Sequence, residues 1–465
     1  MGAGIDHSSV VVNRNGAELL ESTISNKTAK IGIVGLGYVG LPLAVEYASA
    51  GYRTIGFDVN DQRVRDLNNG INHIQDIDNE LFSSVLGSGN FSATTNFSLS
   101  AEIDVFFICV PTPVHDHKNP DDSLIRSAIK SLSPQLRKGQ LYILKSTVYP
   151  GATESLIVTE LERVAKSEAL ELGKDYFVAF SPERIDPGNS SFNTSNTPVV
   201  VGGVSSACLD LASLALKVIV DHVHPVSSPR VAEMEKLLEN IFRSVNIAFV
   251  NEMARLCDRV GGISIWEVIE AASTKPFGYM PFFPGPGLGG HCIPVDPYYL
   301  SWFARKYDFE TSFITLSARI NEDMPFYVLE AIISRVAQLS KPLSDVCISI
   351  LGVSFKKDVD DLRHSPAVRV IELLLEKGIT HIHYSDPYVS AVKIQKNELN
   401  VELTSENITD GSIERADIMV LLTDHSDFDY DDIASKAKTI IDTRNAFKNV
   451  SEHLRNKIYL IGGGG

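Results

Sequence analysis

Cysteine is scarce and scattered: five residues, Cys109, Cys208, Cys257, Cys292 and Cys347, in a chain of 465. The number is odd, no two form a CxxC pair, and no histidine spacing around them resembles a zinc site. Neither a disulfide framework nor a metal centre is therefore expected, and reduced thiols in a cytoplasmic protein fit this usage. Positive charge is also short. Lys and Arg number 42 against 58 Asp and Glu, a formal net charge of −16, which argues against a phosphate-neutralising coat for nucleic acid or an anionic membrane. Any anionic ligand must then be held by local cations. No apolar run approaches the roughly 20 residues that span a bilayer. The first thirty residues lack the basic start and apolar core of a secretory signal.

What is present is ordinary globular material, 44% hydrophobic and 22% charged, which excludes intrinsic disorder. The length predicts about three domains. Residues 1–28 read as a polar, weakly structured lead-in. The run Lys30-Ile-Gly-Ile-Val-Gly-Leu-Gly-Tyr-Val-Gly40 is an apolar strand entering glycines, with a helical stretch Leu41 to Gly51 and a second strand Arg53–Asp58 behind it. Further short apolar runs at Asp104–Val110, Gln140–Leu144, Tyr176–Phe180 and Pro198–Val201 predict a doubly wound parallel sheet reaching to about residue 215. From Arg230 to about Gly261 there is no internal Gly or Pro, and Leu237, Ile241 and Val245 recur at a helical repeat, which predicts one long helix. A Gly- and Pro-rich stretch, Pro276 to Pro297, interrupts the helical texture, and an irregular loop of that length is more often functional than ornamental. The α/β alternation returns beyond Pro325, with strands Val346–Leu351, His381–Tyr384, Asp417–Leu422, Thr439–Asp442 and Ile458–Ile461 and a helix Ala367–Lys377. The expected fold is α/β: two Rossmann-like doubly wound domains, 29–215 and 326–465, joined by a central helical segment, 216–325, that contains the long helix. The terminal four glycines read as a flexible end.

Gly35-Leu36-Gly37-Tyr38-Val39-Gly40 is a GxGxxG sequence between a strand and a helix, and Asp58 ends the next strand, where a carboxylate can bond the ribose hydroxyls of a dinucleotide. Gly35 permits the turn, Gly37 the close approach of a pyrophosphate and Gly40 the packing of helix on strand, with the helix N-terminus facing the phosphates. Asp58 repels a 2′-phosphate, so the expected cofactor is NAD rather than NADP, a choice that the nearby Arg63 softens. Cys292 stands apart from the other cysteines because it follows a glycine cluster, Gly287-Leu-Gly289-Gly290-His, and precedes Asp296 and a helix start, a setting that lowers a thiol pKa. Pro294 and Pro297 interrupt the segment, so spacing alone does not bring Cys292 and Asp296 together. Lys236 and Asn240, four apart, share one helical face. By spacing alone Lys236, a lone helical lysine, reads more readily as solvated surface paired with Glu233 or Glu239. Ser181-Pro-Glu183-Arg184 ends an apolar strand with charge, where open sheets place ligand contacts or merely a solvated turn. Lys145-Ser146-Thr147 ends another strand and reads as a hydroxyl-bearing turn.

Taken in order, these pieces resemble the UDP-glucose/GDP-mannose 6-dehydrogenase family over about Lys30 to Asn449. The marks are the Gly35–Gly40 fingerprint, Val110-Pro111-Thr112-Pro113, Ser146-Thr147-Val148, Ser181-Pro-Glu183-Arg184, the Lys236/Asn240 pair, and Gly289-Gly290-His-Cys292 with Asp296. Phe355-Lys356 with Asp361-Leu-Arg363, Thr423-Asp-His425 and Asp442-Thr-Arg444-Asn complete the set. The resemblance implies a four-electron oxidation of a nucleotide-sugar C6 alcohol by two NAD in succession. Cys292 is the implied nucleophile. Lys236 with Asp296 assists loss of the hydroxyl proton, Glu183 and Thr147 activate and hold the water that hydrolyses a thioester, and Asn240 with Lys236 stabilises the oxyanion. By the same resemblance Gly35 to Gly40, Asp58, Arg63, Val110, Pro111, Thr112, Ser146 and Thr147 hold NAD. Glu183, Arg184, Lys236, Asn240, Gly289, Phe355, Lys356, Arg363 and Arg444 hold the sugar nucleotide near a cleft between the α/β domains, and the central helix forms a homodimer. For Lys356, Arg363 and Arg444 the bland alternative is surface or interdomain salt bridges, above all for Arg363 beside Asp360 and Asp361.

The form Glu183-Arg184-Ile185-Asp186-Pro187-Gly188-Asn189 lacks the second glutamate typical of the UDP-glucose and GDP-mannose branch and looks like the N-acetylhexosamine branch. UDP-N-acetylglucosamine is the expected substrate, with the galacto and manno epimers or UDP-glucose as alternatives. Two rivals differ in kind. A β-hydroxyacid or acyl-CoA dehydrogenase transfers one hydride and needs no cysteine. A non-catalytic nucleotide sensor leaves Glu183, Lys236, Asn240, Cys292 and Asp296 occurring together without a reason.

Overall fold

The structure, a computed structural model, describes residues 15–74, 77–115, 118–184, 191–290, 293–396 and 399–465. The chain forms two compact units, the first ending at Leu237 and the second running from Leu238 to Gly465.

In the first unit an eight-stranded sheet comprises β1 Ile31–Val34, β2 Thr54–Phe57, β3 Phe91–Thr94, β4 Val105–Ile108, β5 Gln140–Leu144, β6 Tyr176–Phe180, β7 Val199–Gly203 and β8 Val223–Val226, in the order β3-β2-β1-β4-β5-β6-β7-β8. All neighbours are parallel except β6 and β7. Register sets Ile31 beside both Thr54 and Val105. Every residue of β1, β2, β4, β5, β6 and β7 is buried, because helices cover both faces of a parallel sheet and the strands must be apolar throughout. The strand order reverses between β1 and β4, which makes the ends of these two strands the ligand-binding crevice of this fold type.

Two expectations change here. The lead-in contains a helix, Gly16–Ser25, within its described part: Asn15 caps it by accepting from Glu18 N, and Leu20 and Ile24, four residues apart, are buried in the core of the sheet. Two apolar residues on one face suffice to dock a ten-residue helix, and a polar average conceals them. The sheet also runs past residue 215, to β8, whose Pro225 is tolerated because β8 is an edge strand.

A 32-residue helix, Pro229–Val260, carries the chain from the first unit into the second. The second unit continues with helices Ile265–Ser273, Asp296–Ala304 and Ser312–Val336. Strands β9 Cys347–Leu351, β10 His381–Ser385, β11 Ala391–Lys396, β12 Leu399–Thr404, β13 Ile418–Leu421, β14 Ile440–Asp442 and β15 Ile458–Leu460 follow. β10-β9-β13-β14-β15 form an all-parallel sheet, and β11 pairs antiparallel with β12. This is the second common doubly wound order, with its reversal between β9 and β13. The terminal glycines are not a loose end: Gly462 N and Gly464 N donate to the Asp258 carboxylate at 2.8 and 3.1 Å, and Gly262 N donates to Gly464 O at 2.5 Å. Both sheets thus belong to Rossmann-like α/β folds, joined through a helical segment as the sequence predicts.

Candidate active site

In the first unit the candidate residues stand at the carboxyl ends of adjacent strands. Gly35 follows β1, Cys109 to Thr112 follow β4, Lys145 to Thr147 follow β5, and Ser181 to Arg184 follow β6. Gly35 takes φ +91°, and a Cβ on Gly40 would collide with the Gly35 carbonyl oxygen, whereas Gly37 has open space at its Cβ position. That leaves backbone without side chains before helix Gly40–Ser49, whose N-terminal dipole suits a pyrophosphate. Asp58 is buried at the end of β2. Its Oδ2 accepts from Leu36 N at 2.9 Å and from Arg63 Nη1 at 3.0 Å, and its Oδ1 accepts from Asn60 N at 2.9 Å. The carboxylate is thereby fixed at the strand end with acceptor capacity to spare, and these residues fit the dinucleotide. Tyr38 is exposed and Val39 directly precedes that helix. Ser146 Oγ donates to Val110 O at 2.7 Å, tying the β5 end to the Val110-Pro111-Thr112 turn; Thr112 is buried and Thr147 half-buried.

Glu183 lies in a cluster that sequence reasoning resolved only in part. Lys145 Nζ stands 3.3 Å from Glu183 Oε2, Arg184 N donates to Glu183 Oε1 at 2.8 Å, and Lys236 Nζ donates to the Glu183 carbonyl oxygen at 2.6 Å. Arg184 itself donates to Pro198 O at 2.9 Å and forms an ion pair with Glu235. Lys236 is buried, not a solvated residue. Glu233, one of the partners considered for it, instead accepts from Gly151 N at 2.5 Å and from Thr153 N and Oγ1 at 2.8 and 2.7 Å. Lys145 went unassigned from sequence; the available signal was a lysine directly after five buried strand residues.

In the second unit Asn240 and Asp296, both buried, meet: Asn240 Nδ2 donates to Asp296 Oδ2 at 2.5 Å. Asp296 opens helix Asp296–Ala304, where the helix dipole favours its negative charge. Cys292, together with Ile185 to Asn189, lies outside the described residues. The preceding loop is described as far as Gly290 and is held at Gly285 and Gly290. Gly285 N donates to Asn251 Oδ1 at 3.0 Å, Asn251 Nδ2 donates to Asn321 Oδ1 at 3.0 Å, and Gly290 N donates to Arg363 O at 2.8 Å. The loop is packed so tightly that a Cβ on Gly289 would collide with Phe355, and one on Gly285 would come within 2.5 Å of Arg444 Nη1. Gly289, Phe355, Arg363 and Arg444 are thus brought together. Phe355 and Lys356 follow β9 at the switch point, and Asp386 holds their loop by accepting from Val353 N and Ser354 N at 2.7 and 3.2 Å. Burial pushes the Asp386 carboxyl up, but the bonds from His425 and these amides outweigh it and hold it below the usual carboxylate range. Arg363 Nε and Nη2 grip the Asp361 carboxylate at 2.5–3.0 Å, and Arg444 Nε donates to Leu422 O at 3.1 Å. Among the described residues no helix is long and apolar enough to cross a membrane.

Comparison with known proteins adds three family profiles in chain order, described as the UDP-glucose/GDP-mannose dehydrogenase family NAD binding domain at residues 29–219, its central domain at 230–323 and its UDP binding domain at 349–449. The NDP-N-acetyl-D-galactosaminuronic acid dehydrogenase of Ralstonia nicotianae is 36% identical over 420 residues, 89% of this chain and 95% of that one. The UDP-N-acetyl-D-glucosamine 6-dehydrogenase of Pseudomonas aeruginosa is 37% identical over 367 residues, 78% of this chain and 84% of that one. Among solved structures, a UDP-D-ManNAc dehydrogenase from Pyrococcus horikoshii superimposes with a TM-score of 0.81 at 31% identity, covering 94% of this chain and 99% of that one. Fold, strand-end residues and full-length similarity agree: the chain belongs to the UDP-glucose/GDP-mannose dehydrogenase family and is an NAD-dependent UDP-sugar dehydrogenase.

Proposed function

We propose that the chain oxidises the C6 hydroxyl of UDP-N-acetyl-D-glucosamine to the uronic acid through a covalent intermediate on Cys292. Gly35 to Gly40, Asp58, Arg63, Val110 to Thr112, Ser146 and Thr147 would hold NAD, which would supply the hydride acceptor for each of two oxidations. Lys236 and Asp296, through an ordered water, take the hydroxyl proton in the first. The Cys292 thiolate then adds to the aldehyde, which forms a thiohemiacetal and keeps a reactive carbonyl from escaping; loss of the second hydride leaves a thioester. Asn240 and the Lys236 ammonium stabilise negative charge on the substrate oxygen. Glu183 takes a proton from the water that Thr147 holds as the water oxygen bonds to the acyl carbon and the carbon–sulfur bond breaks.

The observation that carries the reading is the desolvated Asn240–Asp296 pair at 2.5 Å, four residues after Cys292 in the chain. A buried carboxylate at a helix start is costly as packing and useful as an acceptor of protons. The Glu183-Arg184-Ile185-Asp186 form and the likeness to N-acetylhexosamine dehydrogenases support an acetamido sugar. Relatives of the galacto and manno types are similar to nearly the same degree, which keeps those epimers as the second reading. Glu183, Arg184, Gly289, Phe355, Lys356, Arg363 and Arg444 would contact the sugar nucleotide. Leu238, Phe242, Phe249 and Leu256 form an exposed apolar stripe along the long helix, 46–64% accessible, which supports a homodimer through that helix. Free nucleotide sugar and NAD as reactants fit a cytoplasmic enzyme. Cys292→Ser is expected to abolish or severely slow acid formation while nucleotide binding stays nearly unchanged; full activity in that variant would remove the covalent mechanism.

A further inference from the structure

Lys145 is a buried charge that the mechanism above leaves unused. Its side chain is 2% accessible and its Nζ lies 3.3 Å from Glu183 Oε2 and 3.4 Å from Pro182 O, while the Glu183 side chain is 15% accessible. An ammonium removed from water to this extent is retained only where it has a counter-charge, and the same holds for the carboxylate. The charged and titratable groups facing the pair come from every neighbouring strand end and from the long helix. Cys109 follows β4; burial pushes its thiol up to about 12, with Lys145 acting against that rise and Glu183 adding to it, so it remains a neutral thiol. Arg184 is engaged by Glu235 and Pro198 O, and Lys236 Nζ is directed at the Glu183 carbonyl oxygen, not at its carboxylate. Among the described residues, Lys145 is thus a cation seated on the carboxylate itself.

We propose that Lys145 is the positioning residue of the hydrolytic step: it keeps Glu183 ionised at neutral pH and aims Oε1 away from itself, so that Glu183 can take the water proton as the thioester is cleaved. This rests on the assignment of Glu183 as the base. Without the ammonium the half-enclosed carboxylate takes up a proton at higher pH, and hydrolysis slows while both hydride transfers proceed.

The test is pre-steady-state NADH formation by the full chain with UDP-N-acetylglucosamine and NAD+, with mass measurement of the Cys292 peptide, in Lys145→Met, Lys145→Arg and Glu183→Gln. Lys145→Met is expected to release two NADH per active site in a rapid first phase and to accumulate the acyl adduct. Its kcat at pH 7 should fall roughly tenfold for each unit by which the acid limb comes to lie above pH 7, and should recover at alkaline pH. Lys145→Arg should keep the wild-type limb. An unmoved acid limb in Lys145→Met, or a limb displaced equally by Lys145→Arg, overturns the inference. Adduct accumulation in Glu183→Gln beside an unmoved limb in Lys145→Met overturns the role of Lys145 alone, whereas unimpaired hydrolysis in Glu183→Gln removes Glu183 as the base and this inference with it.

Discussion

Asp58 shows how much one carboxylate is asked to do. It is buried at the end of β2, accepts two backbone amides and is neutralised on one side by Arg63, whose side chain is about one-third accessible. The amides fix its direction and Arg63 moderates its charge, so discrimination against a 2′-phosphate comes from a carboxylate that cannot turn away. The expected outcome is a kcat/KM for NAD at least roughly tenfold above that for NADP, narrowed in Asp58→Ala chiefly through a weaker KM for NAD. Equal efficiency with the two cofactors in the unaltered chain would contradict this. Candidate residues at this scale were legible where chemistry is local to a motif, as with the glycines and Asp58. Lys145 and Glu233 were not, because their partners stand 38 and 80 or more residues away in the chain. Only folded strand ends bring them together, and a lysine beside a serine and a threonine reads as a turn until they do.

At the scale of elements, the start of helix Pro229–Val260 is fastened by Glu233, which satisfies two backbone amides and a hydroxyl from the Gly151–Thr153 turn. Burial raises the Glu233 carboxyl above its ordinary value, and the three bonds only partly oppose it. Because the folded-state pKa is the higher one, this contribution to stability is full below the ordinary carboxylate value and is lost as pH rises through the raised value. Relative to Glu233→Gln, the unaltered chain should therefore lose stability as pH climbs above about 4.5; a difference that grows with pH in the opposite sense, measured by denaturant unfolding, would refute it. Elements were legible in proportion to how completely they are buried. The fully buried strands β1, β4, β5 and β6 are read within two residues of their ends. β3 and β8 were missed because an edge strand buries little, as the patterns around Phe91–Thr94 and Val223–Val226 show. The hairpin β11–β12 did carry a signal, the alternation of buried Val392 and Ile394 with exposed neighbours. The helix Gly16–Ser25 carried a weaker one in Leu20 and Ile24.

For the whole molecule, two doubly wound sheets each reverse their strand order once, between β1 and β4 and between β9 and β13; Gly35 and Val110 to Thr112 follow the first pair of strands, and Phe355 and Lys356 follow β9. The alternation of apolar runs is enough to read that architecture, since a parallel sheet requires it. The net charge of −16 disfavours polyanions as partners. It is compatible with small anionic ligands, because the N-terminus of helix Gly40–Ser49 and a few cations such as Lys356 and Arg444 supply local positive potential. The central claim is a double oxidation of an acetamido sugar nucleotide on one cysteine. Its most direct test is the NADH yield, with mass identification of the product, across UDP-glucose and the three UDP-N-acetylhexosamines. Two NADH per substrate consumed, a uronic acid product and the highest kcat/KM with UDP-N-acetylglucosamine are the expected result; one NADH per substrate, or a preference for UDP-glucose, would contradict it.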